Sequence, residues 1–207
     1  MALRLYYNSA SQHSRRDQVA VIELGLDVEL KPVDFMKGEH KAPDFLAHNP
    51  NGKVPLLEHD GLWLWESNAI MAYLADLRPE RGLYPTEPRA RADVNRWLFW
   101  EAAHFGPACL RLTWERVMKP TFMKQDPNPV LVADGEQNLQ RFAAVLDSQL
   151  AGKEYVTGRL SIADFALASV LAYRVPARME LGAFPQLRGW LGRIEARESW
   201  KQTAPRF

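Results

Sequence analysis

Two periodicities divide this chain. Over residues 1–65 short apolar runs alternate with helical stretches, and from residue 89 onward only the helical period remains. LRLYY predicts a strand, and RRDQVAVIELGL predicts a helix that Gly25 ends. VELKPVDF predicts a second strand, placed at a sheet edge by Pro32, which has no N–H to give a ladder. KVPLLEH and GLWLW, separated by Asp60-Gly61, predict an antiparallel hairpin. Ser67 is then expected to cap a helix whose Ile70, Leu74 and Leu77 fall on one face. The order βαβ then ββα describes a small mixed sheet covered by helices.

Residues Arg78 to Pro88, RPERGLYPTEP, have the composition of a linker. Three apolar stripes follow. Val94, Trp97, Leu98, Glu101 and Phe105 open a long helix; Leu139, Phe142, Leu146 and Leu150 mark a second; Leu187, Trp190, Leu191 and Ile194 mark the last. The pattern predicts two domains: a small α/β domain over 1–78, a linker at 79–88, and an all-helical bundle over 89–207.

Composition narrows the function. A net charge of +1 argues against a strongly electrostatic partner such as nucleic acid, although residues 1–80 are net acidic and the remainder net basic. One cysteine, Cys109, leaves no disulfide framework, CxxC pair or multi-cysteine zinc site. The five histidines show no metal-ligand spacing, so no metal is expected. No apolar run approaches the ~20 residues of a membrane span, and MALRLYYNSAS turns polar at once. A cytoplasmic location is the expectation.

Four short stretches carry candidate chemistry. In NGKVPLL, a cis Val54–Pro55 bond would turn the backbone so that Val54 offers N–H and C=O to a peptide. An ordinary edge-strand proline explains the same fragment and is the reading it favours by itself. In WESNAI, the start of a helix at Ser67 offers an anion site and Glu66 an acceptor for an ammonium group, which together would hold the α-amino acid end of a ligand. A plain helix cap explains the same letters and is the reading they favour by themselves. SIAD, Ser161 to Asp164, is a capping-box arrangement with a structural role. YYNSASQHSRR, Tyr6 to Arg16, gathers two phenols and three alcohols before a helix, with Ser14 in an N-cap spacing to Asp17.

Taken jointly and in this order — hydroxyl-rich turn, GEHK, KVP, ES before a helix, proline-rich linker, helical half, S-x-A-D — these stretches resemble the cytosolic glutathione S-transferase family over essentially the whole chain, nearest the serine-type theta and phi classes and their bacterial relatives. The resemblance implies a thioredoxin-like N-terminal domain, a C-terminal helical bundle domain, and a homodimer. It implies glutathione as co-substrate. His40 of GEHK and Lys53 of KVP would meet its glycine carboxylate, the Val54 backbone its cysteinyl unit, and Glu66 with Ser67 its γ-glutamyl end.

In the same family a serine at the place of Ser11 faces the glutathione sulfur. A free thiol has a pKa near ~8.5. Lowering it by about one unit takes ~1.4 kcal/mol, within reach of one charge-assisted O–H···S⁻ bond and a helix N-terminus. Ser11 would then be a donor and not a base. Tyr6 and Ser9 are its rivals for the sulfur. Asp17 departs from the apolar residues of such relatives, and its charge near a thiolate would oppose ionisation unless an arginine faces it. The resemblance also implies an electrophile site drawn from the first turn and the first long helix of the bundle, to which His104, Phe105, Cys109, Arg111 and Trp114 are candidates; core packing is the competing reading for each. The expected reaction is attack of glutathione thiolate on a small electrophile. A glutathione-dependent peroxidase or isomerase, an interaction module, and a ligand carrier are the alternatives.

Overall fold

The structure, a computed structural model, describes residues 3–205. The chain forms two compact units. One holds residues up to 86 together with those from 197 onward, and the other holds 87–196.

In the first unit, β1 (Leu3–Tyr7) leads into α1 (Gln12–Leu24), and β2 (Val28–Pro32) returns parallel to β1. A single 3-10 turn at Glu39–Lys41 and the short helix α2 (Pro43–His48) follow, neither foreseen from the sequence pattern. The hairpin β3 (Leu56–His59) and β4 (Leu62–Trp65) comes next, then α3 (Ser67–Asp76). The sheet order is β2-β1-β3-β4, so β2 with its Pro32 is an edge strand, as the missing N–H requires. Asp60 and Gly61 both take positive φ (50° and 86°), the geometry of a tight two-residue hairpin turn. Gly25 closes α1 in the left-handed conformation, with its N–H returned to the last turn. Leu5 and its partner Leu57 are fully buried, whereas Arg4 lies opposite Glu58 on the other face and binds it at 3.0 Å.

α1 is unusual for what it buries. Beside Val19, Ala20 and Leu24 it encloses Ser14, Arg16 and Asp17 as it packs on α3. Arg16 donates to Asn68 Oδ1 at 2.9 Å and to Ser67 Oγ at 3.5 Å. Neither carboxylate oxygen of Asp17 has a hydrogen-bond partner. Burial pushes the Asp17 carboxyl well above its ordinary range, and the neighbouring Arg16 charge only partly opposes this.

α9 (Glu198–Gln202) packs on α1, inside the first unit. The helical periodicity of the chain had assigned residues 197–207 to the bundle. The difference lies in long-range pairs: Arg197 binds both oxygens of Glu23 at 2.7 Å, and Arg15 donates to the Trp200 carbonyl at 2.9 Å.

The second unit begins with α4 (Pro88–Trp100) and continues through π-helical turns at Glu101–Phe105, α5 (Gly106–Thr113), and further π-helical turns at Trp114–Met123. The single long helix expected here is therefore twice widened. Pro107 has no N–H to continue the ladder, and Gly106 sits so close to Glu101 that a Cβ would lie 2.5 Å from its Oε1. α6 (Pro129–Leu150), α7 (Ile162–Ser169) and α8 (Pro185–Glu195) complete the unit. Every residue of α7 is buried, and α4 and α8 pack against it. The SIAD capping box is present: Asp164 accepts from the Ser161 N–H and hydroxyl, from the Val156 N–H and from the Trp190 indole, at 2.9 to 3.1 Å. Burial pushes its carboxyl up to about 6 against the pull of those four donors, so it remains largely ionised at neutral pH. Among the described residues no helix is long and apolar enough to cross a membrane.

Two stability outcomes follow from these buried acids. Asp164→Ala leaves two N–H groups and an indole without their acceptor, and is expected to cost roughly 3 kcal/mol or more in urea denaturation; a cost below about 1 kcal/mol would contradict that role. For Asp17 the native state holds a proton that the unfolded chain releases above its ordinary value of 3.8. Stability is therefore fullest below 3.8 and falls as pH rises towards the higher folded value. Asp17→Asn removes this slope, so its melting temperature should gain on the parent's as pH rises, and parallel curves would contradict the assignment.

Candidate active site

The turn from β1 into α1 is built by hydrogen bonds of its own residues. Asn8 donates to the Val33 carbonyl at 2.9 Å, and its side-chain oxygen accepts from the Ala10 N–H at 3.0 Å. Ser11 is the N-cap of α1: it is extended at φ −83°, and its Oγ accepts from the Ser14 N–H at 3.1 Å. This corrects the expectation for Ser14, which is fully buried and accepts from the Asn8 N–H at 3.3 Å, holding the turn from inside. Ser11 is half-buried at the surface of the turn. A hydroxyl oxygen that accepts one bond still has its proton to donate. Tyr6 is committed elsewhere. Its hydroxyl donates to Glu58 at 3.4 Å, its ring packs against Trp63 and Phe45, and burial followed by the Glu58 charge pushes the phenol upward.

The KVP segment reaches the site through an organised loop. Gly52 turns the chain at φ 59°, and Asn49, almost wholly buried, donates to the Lys53 carbonyl at 2.7 Å. The Val54–Pro55 bond is cis. Pro55 directly precedes β3, an inner strand, so the ordinary edge-strand reading favoured by the fragment alone does not hold. Val54 itself stands before the ladder begins at Leu56.

At the start of α3, the N-cap is Glu66 and not Ser67, which is the first helical residue. Glu66 takes φ 72° and ψ 108°, a backbone conformation that side chains other than glycine rarely adopt. Its side chain is exposed, while Ser67 is buried against Arg16.

One cavity of about 150 Å³ collects these pieces. Lys53, Val54, Glu66 and Ser67 line it, as do Asn49 and His13. Four of the six expected site residues therefore converge, although they come from separate parts of the sequence. Ser11 is two residues from the lining residue His13. His40 is not among the lining residues; it lies on the 3-10 turn with its ring edge on Phe35, its Nδ1 buried without a partner, and its carbonyl close to Gly52.

Sequence reasoning missed His13. It stood inside the hydroxyl-rich turn, but no local spacing links it to Lys53 or Ser67. Its imidazole is pulled down to about 3 by burial and then by the Arg16 and Lys53 charges, so it is neutral in ordinary buffers. The electrophile candidates divide. Phe105 and Cys109 are fully buried core residues of the helical unit, and burial followed by the Glu101 charge pushes the Cys109 thiol well up. Arg111 is ion-paired with Asp134. His104 and Trp114 are exposed.

Comparison with known proteins gives a consistent picture. Residues 1–76 match the glutathione S-transferase N-terminal domain and residues 110–198 the C-terminal domain. The chain is 31% identical to a probable glutathione S-transferase, GSTF2, of Oryza sativa subsp. japonica, covering 98% of this chain and 95% of that protein. Among solved structures, glutathione transferase F7 from Populus trichocarpa superposes with a TM-score of 0.91 at 30% identity, covering 98% of each chain. The theta-class enzyme of Xanthomonas axonopodis pv. citri, solved with glutathione bound, gives 0.90 at 28% identity, covering all of this chain and 98% of that one. With an α/β unit of thioredoxin-like order, a helical unit and matches along nearly its whole length, this chain belongs to the glutathione S-transferase family.

Proposed function

We propose that this protein binds glutathione in the cavity lined by Lys53, Val54, Glu66 and Ser67 and activates its thiolate for attack on a small electrophile. The convergence of these four residues on one cavity carries the reading, because each supplies what one part of the tripeptide lacks. The glycine carboxylate goes to Lys53, with His40 beside the Gly52 turn. The cysteinyl peptide group pairs with the Val54 backbone, which no ladder occupies. The γ-glutamyl carboxylate meets Ser67 at the α3 N-terminus, where the helix dipole favours an anion, and the amine meets Glu66.

The chemistry is that of positioning and charge stabilisation. Ser11 caps α1 with its oxygen and donates its proton to the sulfur, so it stabilises the thiolate without ionising. The thiol proton leaves to solvent, and sulfur then forms the new bond as the electrophile's leaving group departs. Asp17 does little to oppose this while burial favours its neutral acid form. The reducing cytoplasm and the homodimer implied by the resemblance belong to the same reading.

Retention on immobilised glutathione and turnover of a chlorinated dinitrobenzene test it, and absence of both would overturn it. Ser11→Ala should raise the pH needed for thiolate formation by about one unit, seen as a shifted pH–rate profile; an unchanged profile would remove Ser11 from the role. Lys53→Ala should weaken glutathione binding roughly tenfold by calorimetry, the loss of one charge-assisted contact at a partly solvated site.

A further inference from the structure

We infer that His13 is a second donor to the glutathione sulfur, its neutral imidazole N–H joining the Ser11 hydroxyl across the first turn of α1. This rests on the glutathione reading above and concerns a residue outside the motifs that carry it.

The position follows from the lining of the cavity. His13 is the α1 residue exposed to it, facing Val54 and Pro55 on the loop and Glu66 and Ser67 at the head of α3. Two cations act on its ring: Lys53, on the loop that receives the glycyl end, and Arg16, bonded to Ser67 at the γ-glutamyl end. Because His13 lines the same cavity as Lys53, Val54, Glu66 and Ser67, the glutathione reading sets it beside the middle unit of the ligand, which bears the thiol. Ser11 lies on the same turn, two residues earlier.

The protonation state decides the chemistry. Burial, then the Arg16 and Lys53 charges, pull the His13 imidazole down to about 3, which favours donation over proton abstraction from a thiol of pKa near ~8.5. A neutral imidazole retains one N–H, which needs no ionisation to donate to S⁻. The charged groups that line the cavity with His13 are Lys53, which favours a thiolate, and Glu66, which opposes it, while Arg16 is bonded to Ser67 and Asn68. Asp17, next in sequence to Arg16, is shifted by burial towards its neutral form. A thiolate on the ring would also offset the cations that now depress its titration.

The experiment titrates the thiolate ultraviolet absorbance of the full-length protein with glutathione, and measures binding of glutathione and of S-methylglutathione, which has no thiol to ionise. His13→Ala should cut the thiolate fraction at neutral pH by roughly 3- to 10-fold, an upward shift of about 0.5 to 1 in the bound thiol pKa. His13→Gln, which keeps an N–H donor, should recover most of it. In His13→Ala, glutathione affinity at neutral pH should fall more than S-methylglutathione affinity, and His13→Gln should narrow that difference. A titration identical to the parent's, or equal weakening of both ligands in both variants, overturns the proposal. A parent that binds neither ligand overturns the glutathione reading itself, a result distinct from either.

Discussion

The buried guanidinium of Arg16 holds the first unit in register. It sits inside α1, yet its hydrogen bonds go to Ser67 and Asn68 at the first turn of α3. Both helices begin close to the same cavity, and both begin with a polar residue whose job depends on position to within an ångström. A cation only 1% exposed must be paired, because an isolated buried charge is far more costly than the bond it makes. That requirement ties α1 to the start of α3, and so helps bring His13 to the cavity that Glu66 and Ser67 line.

The cost of this arrangement is visible beside it. Asp17 is wholly enclosed with both oxygens unbonded, while Asp164 in the helical unit is as deeply buried and accepts from four donors. Two acids with the same ordinary titration thus meet opposite fates. Burial pushes the first well above its ordinary range with no hydrogen bond to oppose it; the second, pushed up to about 6, stays largely ionised at neutral pH because its hydrogen bonds offset much of the desolvation. Only the second organises its surroundings, joining the start of α7 to α8 through Trp190. Glu66 adds a third kind of cost, a positive φ that places its side chain at the cavity instead of relaxing the backbone.

Much of the fold was legible in the chain. Alternation gave β1, the hairpin and its Asp60-Gly61 turn; Pro32 marked an edge; Gly25 and SIAD marked helix ends. These features have local causes, such as a missing N–H, a required positive φ or a side chain that reaches its own backbone. Of the candidate site, Lys53, Val54, Glu66 and Ser67, which converge on one cavity, were legible only through the joint order of motifs, since each fragment by itself favours an ordinary edge proline or helix cap. That Ser11 and not Ser14 caps α1 was not legible. Both spacings suit a cap, and the choice lies in which hydroxyl points at the Ser14 N–H and which turns inward to Asn8.

The sequence by itself determined the strands and most of the helices, which half is helical, and which residue types could answer each end of a tripeptide. Tertiary structure decided the rest. The return of α9 to the first unit through Arg197 and Glu23, the loss of Phe105 and Cys109 to the core, and the entry of His13 into the cavity all depend on contacts between residues far apart in the chain. Local periodicity records which face of an element is apolar. It carries no record of how deeply a side chain will be buried or which distant charge will stand near it, and the state of His13 is set first by burial, then by its helix neighbour Arg16 and by the distant Lys53.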